Sequence, residues 1–90
     1  MTTVIVRHKV KDFQQWNAVF RGLAEARAKH GCTQEHVYRG VEDPRFVTIR
    51  TEWTSADAAR GYFTSPDLKE GMAKAGVAEA PTVDLLEAAP

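Results

Sequence analysis

Val4-Ile5-Val6-Arg7-His8-Lys9-Val10, running almost directly into Asp12-Phe13-Gln14-Gln15-Trp16, is the stretch on which the fold turns. Its first part is β-branched and alternates, so Val4, Val6, His8 and Val10 share one face and Ile5, Arg7 and Lys9 the other, as in a half-buried strand. The period then changes. Asp12 offers an N-cap with Gln15 three residues on, and Phe13, Trp16, Phe20, Leu23, Ala24 and Arg27 recur at helical spacing until Gly31. Lys29 and His30 fall in the last turn, where positive charge suits the helix dipole. A strand feeding a helix of this length predicts a layered α+β domain. Gly22 inside the helix costs roughly 1 kcal/mol against alanine and predicts a close approach by a neighbouring element.

Downstream, Thr33 to Arg39 reads as a second strand, with Gln34, His36 and Tyr38 on one face and Glu35, Val37 and Arg39 on the other. The turn-rich Gly40 to Pro44 leads to a third strand, Phe46 to Trp53, whose Val47, Ile49, Thr51 and Trp53 face one way. Thr54 with Asp57 signals another helix start, through Ala58, Ala59, Tyr62 and Phe63. Ser65-Pro66 breaks that helix and begins a new one, because serine caps and proline suits the first helical position. Leu68, Met72 and Ala75 then line one face before Gly76. Pro81 precedes a last strand, Thr82 to Glu87, and Ala88-Ala89-Pro90 should fray. The order β-α-β-β-α-β is the ferredoxin-like plan, a four-stranded antiparallel sheet with its helices on one face. Residues 1–90 form a single such domain on this reading.

Twelve basic and twelve acidic residues cancel, so no global field would hold a nucleic acid or an anionic membrane. The cancellation hides a gradient, because residues 1–30 carry six Lys/Arg against two Asp/Glu and residues 61–90 two against five. Such ends complement each other inside one chain or between two. One cysteine, Cys32, allows no internal disulfide and no cysteine cluster for zinc, and with no long apolar run a cytoplasmic location is expected. Both faces of the third strand carry large side chains, Val47, Ile49 and Trp53 against Phe46. A small domain with a bare second sheet face gains core by pairing sheet to sheet, so a homodimer is expected.

Several of these blocks together resemble the dimeric α/β-barrel superfamily. They are Arg7 to Phe13 followed by Trp16, the turn Glu42-Asp43-Pro44, Phe63 to Leu68 followed by Met72, and Ala75-Gly76-Val77 with Pro81. Within it the chain is most similar to the small proteins grouped with antibiotic-biosynthesis monooxygenases and often labelled polyketide "cyclases". That resemblance implies two ferredoxin-like subunits whose sheets form a barrel, with a pocket between each sheet and its own helices. It also implies cofactor-free oxidation of aromatic polyketides, associated with an asparagine and a tryptophan four apart on the third strand and assisted by an arginine. Trp53 matches the tryptophan, whereas Ile49 stands four residues before it and the only asparagine is Asn17. Arg60-Gly61-Tyr62 stands where many such monooxygenases have a histidine.

Candidate functional residues follow from side chains that interrupt the strands. His8 in an apolar row is either a satisfied core histidine or a pocket acid–base group. His36 and Tyr38 either add a second imidazole and a phenol to the same pocket or face water on an edge strand. Trp53 ends its strand, as a pocket-mouth residue would, and Trp16 either packs in the core or stacks on a flat ligand. His8 and His36 are thus the catalytic candidates, and Tyr38, Trp53 and Trp16 the substrate-binding ones. No metal site, phosphate-binding glycine loop or dinucleotide fingerprint is present, so no cofactor is implied. Two functions remain open on the sequence. One is an enzyme acting on an aromatic or polyketide-like molecule without a tightly bound cofactor, and the other a non-catalytic ligand-binding or interaction dimer of the same fold.

Overall fold

The computed structural model describes residues 1–76 and 78–89; Val77, which closes the block quoted above, and Pro90, expected to fray, lie outside them. Four strands, β1 (Thr2–Lys9), β2 (Cys32–Arg39), β3 (Phe46–Trp53) and β4 (Thr82–Glu87), form an antiparallel sheet in the order β2-β3-β1-β4. The helices are α1 (Phe13–Gly22), α2 (Ala24–Lys29), α3 (Ala56–Phe63) and α4 (Pro66–Lys74). This is the ferredoxin-like arrangement that the order of strand and helix patterns predicts.

Register fixes the two faces of the sheet. His8 lies opposite Val47, Val6 opposite Ile49 and Val4 opposite Thr51, so the alternating residues of β1 and β3 form one buried row. Val4, Val6, Val47, Ile49 and Trp53 are buried there with Trp16, Ala59, Tyr62 and Ala75 from the helices. On the strand at the other side of β1, Val83 and Leu85 pair with Val6 and Val4. The oppositely charged chain ends are therefore neighbours within one molecule, and Arg7 and Asp84 approach to 3.8 Å on the outer face.

The first helical region departs from its expected form in two respects. It is two helices, because α1 ends at Gly22 and α2 starts after Leu23. Gly22 also faces open space, with nothing within 4 Å of where a Cβ would sit. It marks the break between helices instead of a close contact. The close approach is at Gly71 of α4, where an added Cβ would come within 2.7 Å of Leu23 Cδ1 and 3.3 Å of Val19 Cγ1. Only a glycine lets α4 lie this near α1.

Caps follow the sequence with local exchanges. Asp12 accepts from the Gln14 amide, while Gln15 donates to the Lys74 carbonyl and ties α4 to α1 instead of completing a capping box. Ser55, one residue beyond the expected Thr54, caps α3 through the Ala58 amide. Ser65 caps α4 as expected and Pro66 occupies its first turn. Gly31 leaves α2 with φ of 103°, a left-handed conformation that needs glycine, and its carbonyl accepts from the Thr54 amide. The turn after α2 is thereby locked to the start of α3. No helix among the described residues is long and apolar enough to cross a membrane.

Candidate functional site

Between the helix-facing side of the sheet and the four helices lies a cavity of about 600 Å³. Its sheet wall is Val6 and His8 of β1, Ile49, Thr51 and Trp53 of β3, and Val83 of β4. Trp16, Phe20 and Leu23 of the first helical layer face Phe63, Leu68 and Met72 across it. These apolar residues are the helical stripes read from the sequence, so the same periodicity that builds the core also builds the cavity lining. A volume of this size suits a small organic ligand.

His8 is 5% exposed and meets the edge of Trp16 at 5.6 Å between ring centroids, with the planes at 89°. Neither its Nδ1 nor its Nε2 has a hydrogen-bond partner among the described residues. Burial pushes its pKa below the ordinary 6.5, so the ring is neutral at pH 7 and keeps one acceptor lone pair and one N–H. No protein group among the described residues satisfies the ring in the way the core-histidine reading expects. Buried polar atoms in proteins are nearly always paired, so two unpaired nitrogens on a ring that forms part of the cavity wall single out His8 among the lining residues.

Trp16 is 3% exposed and stacks on Phe20 at 5.0 Å, serving both as core and as cavity wall. Trp53 is not at the mouth. It is completely buried among Tyr62 and Phe63, and its Nε1 donates to Thr51 Oγ1 at 2.7 Å. Thr51 in turn donates to the Val4 carbonyl, so the indole N–H is consumed internally. Four residues earlier Ile49 presents only hydrocarbon. The asparagine–tryptophan pair implied by the resemblance has no polar counterpart in this cavity.

His36 and Tyr38 do not share the pocket with His8, which corrects the expected grouping. They pair with Arg50 and Thr48, on the sheet face turned away from the helices, where both are exposed. Glu35, Val37 and Arg39 alternate with them and turn toward the helices.

Arg27, read from sequence only as part of a helical stripe, is the cavity's buried cation. It is 2% exposed, its Nε donates to Glu35, its Nη1 donates to the Phe20 carbonyl at 2.7 Å, and its plane lies 3.8 Å from the Phe20 ring centroid. Its Nη2 is enclosed, with no partner within 3.5 Å among the described residues. Burial raises the pKa of the neighbouring Tyr62 phenol, and a hydrogen bond from Arg27 and the charge of its guanidinium oppose the rise. Cys32 is not activated, since burial and Glu35 push its thiol upward. No group of three potential metal ligands occurs among the described residues.

An antiparallel ferredoxin-like sheet that encloses an apolar cavity with its own helices, with a histidine on the cavity wall, makes this an α+β domain of the ferredoxin-like class. The antibiotic biosynthesis monooxygenase family model matches residues 1–74, and the chain belongs to that family. Among solved structures it is similar to SnoaB, a cofactor-independent oxygenase from Streptomyces nogalater, with 18% identity, a TM-score of 0.83, and coverage of 99% of this chain and 93% of that one. An antibiotic biosynthesis monooxygenase matches over 100% of both chains at 21% identity and a TM-score of 0.76. A conserved protein from Methanosarcina mazei Go1 matches at 21% identity and a TM-score of 0.79, covering 94% of this chain and 89% of that one. No curated protein matches the chain.

Proposed function

We propose that the protein is a small-molecule enzyme of the cofactor-independent oxygenase type, acting on an aromatic or polyketide-like substrate, with His8 as its base. The observation that carries this reading is the neutral His8 ring with both nitrogens unpaired on the wall of an apolar cavity. A flat substrate lying along Trp16 and Phe20 would bring an acidic C–H or O–H beside a carbonyl within reach of the free imidazole nitrogen. The proton passes to His8, the electron pair stays on the substrate as an enolate, and dioxygen adds at carbon to give a hydroperoxide anion. His8 returns the proton, and loss of water leaves a new carbonyl. One oxygen atom is retained and the other departs as water. A positioned imidazole contributes about 10²–10⁴ in rate.

The active form on this reading is a homodimer joined through the outer sheet face. Tyr38, Phe46 and Leu86 are exposed there at 49%, 48% and 46%, and Arg50 Nε is buried without a partner. That face would gain apolar cover from a second copy.

The competing reading, a binding module without catalysis, draws on the hydrocarbon at Ile49 and the internally bonded Trp53 N–H. Oxygen uptake and absorbance with anthrone-like compounds separate the two. Turnover in the native protein that falls at least a hundredfold in His8→Ala is the expected outcome. Stoichiometric binding without turnover, or equal turnover in the variant, would leave the binding module standing.

A further inference from the structure

The wall of the cavity is mostly carbon, and its polar side chains are engaged with one another. Thr51 Oγ1 accepts from Trp53 Nε1 at 2.7 Å and donates to the Val4 carbonyl, so neither side chain has a group to spare. Ser65 Oγ holds the Leu68 amide, and Thr64 Oγ1 donates to the Arg60 carbonyl at 2.8 Å. The Tyr62 phenol takes a hydrogen bond from Arg27, which is itself bound to Glu35 and to the Phe20 carbonyl. Lys69 stands exposed at the rim, where water solvates it. Among the described residues with buried polar side chains in the lining, His8 alone makes no hydrogen bond within the protein. The way in runs past carbon as well. Where the lining of α4 and the edge strand β4 reaches solvent, it presents Val83, 39% exposed, with half-buried Pro81, Leu68 and Met72.

We propose that the cavity selects a polycyclic aromatic molecule with at most one oxygen function on the part it buries, and rejects polyhydroxylated analogues of the same shape. This rests on the reading of the cavity as a substrate site, and adds which aromatic substrates it admits. A hydroxyl carried inside gives up its water, and each one beyond a single group at His8 finds no donor or acceptor in exchange. Fused hydrocarbon rings give up no hydrogen bonds on the same path and gain contact with Trp16, Phe20, Leu68 and Met72. Specificity here comes from what the wall withholds, a penalty on the wrong ligand in place of an added attraction for the right one. A hydrocarbon pocket of this kind discriminates against an extra hydroxyl by about ten- to a hundredfold.

The test compares 2-naphthol with 1,3,6,8-tetrahydroxynaphthalene by calorimetry under nitrogen, where no oxygenation contributes heat. The two probes share one ring skeleton. Whichever way the second enters, it buries a hydroxyl away from both His8 and the mouth. The native protein should bind 2-naphthol at least about tenfold tighter. Met72→Gln puts an amide on the wall at a half-buried helical position, where glutamine forms helix as well as methionine does, so the circular dichroism spectrum should be kept. It should narrow the ratio about threefold or more by strengthening the tetrahydroxy probe, and Leu68→Gln makes the same change one turn earlier. Equal affinity for the two probes in the native protein, or a ratio that neither glutamine variant moves, overturns the proposal and leaves the cavity as a substrate site. Binding of neither probe overturns both.

Discussion

Replacing His8 by phenylalanine should make the protein more stable and, on the proposed mechanism, inactive. The imidazole has two unpaired nitrogens at 5% exposure, and an unsatisfied buried polar group costs about 1–3 kcal/mol relative to one hydrated in the unfolded chain. Phenylalanine removes that cost, keeps an aromatic edge for Trp16, and has a cavity of about 600 Å³ into which its larger ring can extend. The expected gain is about 1–2 kcal/mol at pH 7.5, and each 1 kcal/mol moves Tm by roughly 4–8 °C in a domain of this size. The gain should widen in acid. The pocket holds the His8 pKa below the ordinary 6.5, so in the window below that value the unfolded chain binds more protons than the native one. Stability is then complete above about pH 6.5 and falls as pH drops from there toward the native pKa, and this component is missing in the variant. Urea unfolding followed by far-ultraviolet circular dichroism, at fixed protein concentration from pH 5 to 8, measures both effects. Subtracting the two profiles isolates His8 from His30 and His36. A variant that is less stable than the native protein, with an unchanged pH profile, would mean that His8 is satisfied in solution and is an ordinary core residue.

Thr51→Val strips the acceptor from the fully buried Trp53 Nε1 and should cost about 1–3 kcal/mol in the same unfolding assay, far more than an exposed threonine would. Gly71→Ala gains roughly 1 kcal/mol of helix propensity but drives a Cβ to 2.7 Å from Leu23 Cδ1, so a net loss of about 1 kcal/mol is expected by thermal melting. Phe46→Asp places a charge on the outer sheet face and should reduce the mass in light scattering from that of two chains to one, with the circular dichroism spectrum retained. A native protein that is monomeric at high concentration would instead discard the sheet-to-sheet dimer.

The outer framework was legible because it depends on period and punctuation. Phe46–Trp53 and Thr82–Glu87 lie where alternation and Pro81 place them, and Ser65-Pro66 separates two helices as its chemistry demands. What failed was orientation. Strand alternation groups His36 with Tyr38 but does not say which side of the sheet they take, and β2 has polar residues on both faces. Its pairing with β3 settles the matter, and that is a long-range fact. Trp53 at a strand end looked like a mouth residue until α3 closed over it. Arg27 did carry a signal, since it lies four residues after Leu23 on the stripe of Trp16 and Phe20. A cation on an apolar stripe has either a buried partner or a ligand, but its place in the last turn offered the simpler explanation of a favourable helix dipole.

If the cavity takes a ligand as proposed, the protein's persistence is tied to the supply of what fills it. A domain of 90 residues has about 5–14 kcal/mol of stability in all, taking roughly 0.05–0.15 kcal/mol per residue. A ligand present at a hundred times its dissociation constant adds about 2.7 kcal/mol to the folded state. That is a fifth to a half of the total. The same occupancy lowers the unfolded population about a hundredfold, and where proteases draw on that population it lengthens the lifetime of the chain. Abundance would then follow ligand supply without any change in synthesis, so a filled cavity would link a chemical concentration to a protein half-life.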